Sequence, residues 1–317
     1  MKVLFFNHTK QQCGVYQYGK RLYDIIKKTD GINYIYIELD NINDYIQSIL
    51  NNAPDIHCII YNYHSSTMSW LNESTIQRKV KNIGIPHESP EHLFDIICNI
   101  DPTIQETNNK FSIPRPIYEN IDEMLENYTP SIPSIKEFIE YSEKDVPIFG
   151  SFGFGFLNKG FDKIVKIINE QFDAAIIKFV IPGAYFDPNS ENTPYIMKKL
   201  CEQIARKPNI KLIITHEFFS TEDILLFLKS NTMNIFLYDN MYGRGNSSTI
   251  DYALSVKKPI GISDSYMFRN IYSDEICLYK NSIDVCMKNS IKYSEKFLDE
   301  YSHNNLIYKF KNFLCKL

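Results

Sequence analysis

The residues best suited to chemistry lie in two glycine-bearing segments. The first runs Gly150-Ser151-Phe152-Gly153-Phe154-Gly155-Phe156-Leu157-Asn158-Lys159-Gly160. It follows the apolar pair Ile148-Phe149 and opens onto a helical stripe of Phe161, Ile164, Val165, Ile168 and Phe172. Glycines let a backbone approach a ligand closely. A helix N-terminus adds free N–H groups and the positive end of a dipole. Lys159 supplies a full positive charge at the same place. The combination suits a diphosphate, although the spacing is neither a Walker loop nor a dinucleotide fingerprint.

The second segment runs Asp239-Asn240-Met241-Tyr242-Gly243-Arg244-Gly245-Asn246-Ser247-Ser248-Thr249-Ile250-Asp251. It too follows an apolar run and enters a helix. Arg244 carries a planar fork of donors that matches phosphate oxygens. Ser247 and Ser248 add hydroxyls, and Asp251 falls on their side of the first helical turn. A plain helix cap accounts for Asp251 as the reciprocal acid, but not for Gly243-Arg244-Gly245.

Weaker candidates stand in the N-terminal half, each after an apolar run. They are Gly14 in Gln12-Cys13-Gly14-Val15, His64 in Tyr63-His64-Ser65-Ser66, and His87 with Glu88 in Ile85-Pro86-His87-Glu88. A histidine orients ligands or moves protons near neutral pH. A structural histidine at a strand end is the plainer alternative. Nothing in the sequence around Cys13 marks it as an activated nucleophile.

The elements that must position these residues follow from periodicity. Short apolar runs at Val3–Phe6, Tyr34–Ile37, Ile56–Tyr61, Val80–Ile85 and Asp95–Ile100 read as strands. Between the first two, Val15, Tyr18, Leu22, Ile25 and Ile26 recur at helical steps. The stretch Ser112–Pro147 carries Pro114, Pro116, Pro130, Pro133 and Pro147 and reads as a connection, interrupted by a short helix near Ile135–Tyr141. The alternation then resumes with strands at Ile176–Ile181, Ile210–Ile214, Ile235–Tyr238 and Pro259–Ile262, and helices from Ser220, with a capping box to Asp223, and over Thr249–Val256. Such alternation predicts α/β architecture with parallel sheets covered on both faces and ligands beyond the C-terminal strand ends. The expected organisation is two Rossmann-like, doubly wound domains facing across a cleft. The first spans 1–118 and carries the acceptor side; a Pro-rich connection covers 119–147; the donor domain spans 148–290. A helix over 291–317 is expected to pack back toward the first domain, its mixed aromatics and lysines leaving weak peripheral membrane contact as the alternative.

The bulk numbers agree with this organisation. A chain of 317 residues suits two domains. A net charge of −4 gives no global reason to bind nucleic acid or an acidic membrane, so an anionic ligand needs a local site. The seven cysteines are scattered, with no zinc or redox spacing, and read as reduced thiols of a cytoplasmic protein. No apolar run reaches membrane-spanning length. No carboxylate cluster suited to a metal is visible, and neither a metal nor another cofactor is expected.

With these segments in place, the second half resembles the donor-binding domain of retaining GT-B glycosyltransferases, the large family 4 group. The resemblance covers roughly 148–271 well and the N-terminal half loosely. The family's Lys-Gly after the first strand matches Lys159-Gly160. Its glycine-rich turn into a helix, with an acid, then Ala and a later Pro-Ile strand, matches Gly243 to Ile262. The resemblance implies that Lys159 contacts the diphosphate of a nucleotide sugar and that Asp251, where the family has Glu, binds the ribose. Gly14, Gly160, Arg244, Ser247 and Ser248 complete the expected diphosphate site. His87 is the expected catalytic-site histidine, with His64, Glu88, Tyr242, Gly243 and Asn246 as candidate sugar or acceptor contacts. Two departures are visible. The family's sugar-binding Glu, eight residues before the ribose acid, is replaced by Gly243, and the Arg that usually precedes Lys-Gly is absent. The implied activity is metal-independent transfer, with retention, from a nucleotide diphosphate sugar to a glycan or lipid-linked acceptor hydroxyl. Two alternatives remain at this point: a sugar-nucleotide epimerase of the same fold, using His87, Glu88, His216 and Glu217, and a binding protein without transfer activity.

Overall fold

The computed structural model describes residues 1–88, 92–184, 187 and 191–316. The chain forms two compact units. The first comprises Met1–Pro116, Arg244–Ser248 and the chain from Asp299 onward; the second comprises Ile117–Gly243 and Thr249–Leu298.

The first unit is built on β1 (Lys2–His8), α1 (Gly14–Ile26), β2 (Asn33–Leu39), α2 (Ile42–Asn52), β3 (Cys58–Tyr63), β4 (Lys81–Pro86), β5 (Ile96–Asn99) and β6 (Lys110–Ser112). All neighbouring strands pair in parallel, in the order β2-β1-β3-β4-β5-β6. Strands buried on both faces are apolar throughout rather than alternating, and β1 is buried along Val3–His8. The sheet's topological switch point falls between β1 and β3, where the chain reverses its direction of winding. In open parallel sheets such a point leaves a crevice at the C-terminal strand ends.

The second unit contains α3 (Ile121–Leu125), α4 (Pro133–Glu140), β7 (Ile148–Phe152), α5 (Phe161–Gln171), β8 (Ala175–Val180), α6 (Thr193–Ile204), β9 (Ile210–Thr215), α7 (Thr221–Ser230), β10 (Met233–Phe236), α8 (Thr249–Ser255) and β11 (Ile260–Ile262). Its parallel strands run β11-β10-β7-β8-β9, with the switch point between β7 and β10. The two segments singled out by their chemistry are the loops leaving those two strands. The capping box of Ser220 and Asp223 is present at α7. The Pro-rich stretch contributes α3 and α4 to this unit, where Phe138 packs edge-on to Phe219 at 5.7 Å.

Two helices, α9 (Ile283–Glu300) and α10 (His303–Leu314), complete the chain. The stripe Leu306, Phe310, Phe313 and Leu314 joins Val3, Phe5 and Leu22 in one apolar cluster of the first unit. Phe313 lies 4.9 Å from Phe111. Among the described residues no helix is long and apolar enough to cross a membrane. All seven cysteines are free; five are buried and Cys315 is exposed. Burial pushes the thiols of Cys58 and Cys201 up to about 12, which keeps them unreactive.

Candidate functional site

In the second unit the loop after β7 is laced to its neighbours by backbone bonds. Gly153 N donates to Val180 O at 3.1 Å and Gly155 N to Pro182 O at 3.1 Å. A single 3-10 turn, Leu157–Lys159, follows. It is pinned to the chain leaving β10 by Asp239 N donating to Asn158 O at 2.8 Å. Gly160 then turns the chain into α5 at φ +65°, and a Cβ there would stand 2.0 Å from Leu237 O. The close approach of the two loops therefore depends on glycine. Lys159 is half-buried, its Nζ 3.8 Å from the centre of the buried Tyr238 ring. The face of an aromatic ring attracts a cation without neutralising it. Tyr238 is itself held through Oη, 3.2 Å from Thr249 Oγ1, and through its carbonyl, which accepts from Ser263 Oγ at 2.7 Å.

Other predicted residues of this unit are placed differently. Asp239, the acid closest to the missing family Glu, is ion-paired with Lys163. Gly243 adopts φ +80° with open space around it, a conformation that disfavours an acidic side chain at that position. Tyr242 is 80% exposed, its ring 5.8 Å from that of Tyr266. Asp251 sits in the first turn of α8 and exposes no surface. His216 Nδ1 lies 2.8 Å from Ile181 O, where it donates to a carbonyl, and Glu217 is exposed.

In the first unit three histidines stand at the ends of adjacent parallel strands: His8 on β1, His64 after β3 and His87 after β4. His64 Nδ1 accepts from Ser66 N at 3.1 Å, so its proton is on Nε2, 3.5 Å from Glu88 Oε2. The other oxygen of Glu88 accepts from Arg244 Nη1 at 2.6 Å. Burial holds His64 below its ordinary value, Arg244 acting in the same direction and Glu88 against it. A Cβ on Gly245 would lie 3.1 Å from His87 O, and one on Gly14 would lie 3.6 Å from Ser248 Oγ. The structure thus brings together Gly14, His64, His87, Glu88, Arg244, Gly245 and Ser248. Asn246 and Ser247 are buried beside them in sequence, and neither amide atom of Asn246 has a hydrogen-bond partner among the described residues.

Sequence reasoning missed His8, Asn7, Asn62, Tyr18 and Arg115. Asn62 is the penultimate residue of the buried strand β3, and its Oδ1 lies 2.7 Å from His87 Nε2. Tyr18 meets the His87 ring edge-on at 4.9 Å, and the buried guanidinium of Arg115 lies 5.5 Å from the Tyr18 ring. Burial holds His87 well below the ordinary histidine range, with Arg115, His64 and His8 adding to the effect. Among the described residues no group of three or more His, Cys, Asp or Glu side chains could hold a metal.

His8 gives the first unit a pH dependence of defined sign. It is 1% exposed, Lys10 N donates to its Nδ1 at 3.0 Å, and its buried Nε2 has no partner among the described residues. Burial first, then Lys10 and His64, push it down to about 4. A histidine kept neutral when folded leaves stability intact above its unfolded value near 6.5. Stability falls as the pH drops toward 4, because the unfolded chain takes the proton first. The expected loss from His8 between pH 7 and pH 5 is up to about 2 kcal/mol. Urea unfolding at the two pH values checks it: His8→Asn, which keeps an acceptor for Lys10 N, should lose less on acidification than the parent.

No family model and no curated protein matches the sequence. Solved structures match over the whole chain. A glycosyltransferase from Rickettsia africae is 13% identical, covers 99% of this chain and 98% of its own, and gives a TM-score of 0.65. HepE from Anabaena, in complex with UDP and glucose, is 11% identical with full coverage of both chains and a TM-score of 0.65. Sucrose-phosphate synthase from Thermosynechococcus elongatus is 10% identical, covers 99% and 98%, and gives 0.70. The likeness is one of fold: the chain has the α/β, two-sheet GT-B architecture that its second half resembles in sequence.

Proposed function

We propose that the protein is a glycosyltransferase that moves a sugar from a nucleotide diphosphate sugar to the hydroxyl of a glycan or lipid-linked acceptor, with retention and without a metal. The observation that carries this reading is the loop after β7, pinned to the chain leaving β10 and presenting Lys159 at the switch point of the second sheet. Breaking the bond from the anomeric carbon to the donor phosphate leaves the electron pair on the diphosphate. A fixed cation and oriented N–H groups stabilise that developing charge, and such electrostatic stabilisation usually lowers the barrier more than any other effect. Lys159 fills this role, with Arg244, Ser247, Ser248, Gly14 and Gly160 as further diphosphate contacts. Asn246, whose buried amide has no partner for its donor or its acceptor among the described residues, takes over the reading of sugar hydroxyls that Gly243 cannot perform. His64, Glu88 and Tyr242 complete the sugar or acceptor contacts.

The missing family Glu favours one rival: a protein that binds nucleotide sugars without transferring them. A single assay separates the two. UDP-glucose is the first donor to try, because HepE was solved with UDP and glucose. UDP release is followed with a panel of glycans and lipid-linked sugars, with and without a chelator. The expected result is acceptor-dependent, chelator-resistant UDP release and a product of unchanged anomeric configuration. Nucleotide-sugar binding without release across donors and acceptors would leave only the rival. Sugar interconversion without any acceptor would identify an epimerase.

A further inference from the structure

The hydrogen bonds under His87 form a chain in which both amide orientations and the ring proton can be assigned. Asn7 Nδ2 lies 3.0 Å from Tyr16 O, and a backbone carbonyl only accepts, so that atom is the amide nitrogen. The other atom of the Asn7 amide is then the oxygen, consistent with its accepting from His8 N at 3.0 Å. Asn62 presents one atom to Asn7 Oδ1 at 2.9 Å and to Val15 O at 2.7 Å. Two acceptors require a donor there, so this is the Asn62 nitrogen. Its oxygen faces His87 Nε2 at 2.7 Å. An amide oxygen cannot donate, so Nε2 carries the ring proton and Nδ1 keeps its lone pair.

A second feature shows that the chain makes room for this arrangement. Gly19 lies in the middle of α1, where glycine costs about 1 kcal/mol relative to alanine. A Cβ there would stand 2.3 Å from Asn62 Nδ2 and 2.9 Å from Asn7 Nδ2. The glycine admits both amides beneath the helix.

We propose that Asn62 is a positioning residue that fixes the tautomer of His87, so that the imidazole offers Nδ1 as a hydrogen-bond acceptor to a hydroxyl of the sugar. Asn62 acts only through His87, with Asn7, the Val15 carbonyl and Gly19 holding its amide in one orientation. Among the described residues the ring makes no other hydrogen bond than that to Asn62. A neutral ring with a free acceptor distinguishes ligands by their hydroxyls and has no attraction for the diphosphate. The ligand role rests on the function proposed above; the tautomer does not.

Nitrogen-15 NMR of the full chain tests both parts, with His87→Gln assigning the ring signals. At pH 7.5 the parent should show Nε2 as the protonated nitrogen of His87 and Nδ1 as the unprotonated one. Asn62→Ala should give a mixture of tautomers. Asn62→Asp keeps an acceptor oxygen and should retain the parent tautomer while raising the ring's pKa. Calorimetry with UDP and UDP-glucose supplies the second readout: Asn62→Ala should reduce the extra affinity for UDP-glucose about three- to tenfold, the range of one neutral hydrogen bond. UDP affinity should stay unchanged. A parent ring protonated on Nδ1, or an Asn62→Ala ring still wholly protonated on Nε2, would overturn the positioning role. Should Asn62→Ala not fold, the parent spectrum alone still decides. A correct tautomer with no effect on any sugar would support the positioning role and refute its use in sugar binding.

Discussion

Lys159→Ala is expected to weaken UDP binding roughly 10- to 150-fold, the range of a charge-assisted hydrogen bond worth about 1.5–3 kcal/mol. Binding of uridine, which has no phosphate, should be unchanged. The contrast matters because Lys159 also packs on an aromatic ring. Its ammonium rests 3.8 Å from the Tyr238 ring, and Tyr238 in turn supports the start of α8 through Thr249. A loss common to UDP and uridine would mean that the variant acts through Tyr238 and the loop, and the diphosphate role would fail. Lys159→Met separates the effects further, since it keeps an unbranched chain against the ring and removes only the charge. It should behave like Lys159→Ala toward UDP and like the parent in thermal unfolding. Calorimetric titration of both ligands into all three proteins provides the measurement.

How far the sequence discloses such a site depends on whether the relevant contacts are local. Lys159 and Gly160 are legible because a charge, a turn and a helix start lie within one short segment. The strands are legible for a similar reason: Val3–Phe6 is an unbroken apolar run, as burial on both faces demands, and Ile176–Ile181 is interrupted only by Lys178, whose buried Nζ donates to Ile139 O at 2.9 Å. Helices α2 and α6 escape notice because their buried stripes are thin. Tyr45 is the only buried residue of α2, and α6 buries Pro194, Met197 and Cys201 alone. Strand β6 is three residues long with only Ser112 buried. The network under His87 is hidden for another reason. Asn7 and Asn62 are 55 residues apart in sequence and meet only because β1 and β3 pair side by side. Its traces in the sequence are polar residues where apolar ones are expected: Asn62 between two buried tyrosines, Arg115 between two prolines, and Gly19 inside a helical stripe. None of these names its partner. The register of a parallel sheet supplies that, and a single sequence does not encode it locally.

Gly160→Ala is expected to destabilise the second unit by roughly 2–5 kcal/mol, combining about 1–2 kcal/mol for a left-handed backbone with a further ~1–3 kcal/mol for forced overpacking. The backbone at φ +65° disfavours any side chain, and the added Cβ would stand 2.0 Å from Leu237 O and 2.9 Å from Leu237 C. These are backbone atoms just beyond β10, so no rotamer change relieves the clash; the two loops must move apart. Gly31→Ala is the internal control. Gly31 has φ +79° with nothing within 4 Å of its Cβ position, so it measures the conformational cost alone. The excess of Gly160→Ala over Gly31→Ala in urea unfolding therefore isolates the clash. Separation of the loops would also break the bond from Asp239 N to Asn158 O and shift Lys159 off Tyr238. UDP affinity of folded Gly160→Ala should consequently fall toward that of Lys159→Ala. A stability loss no larger than that of Gly31→Ala, with UDP affinity preserved, would show that the loops are not held at this distance. The tie between the β7 and β10 loops would then carry no part of the diphosphate site.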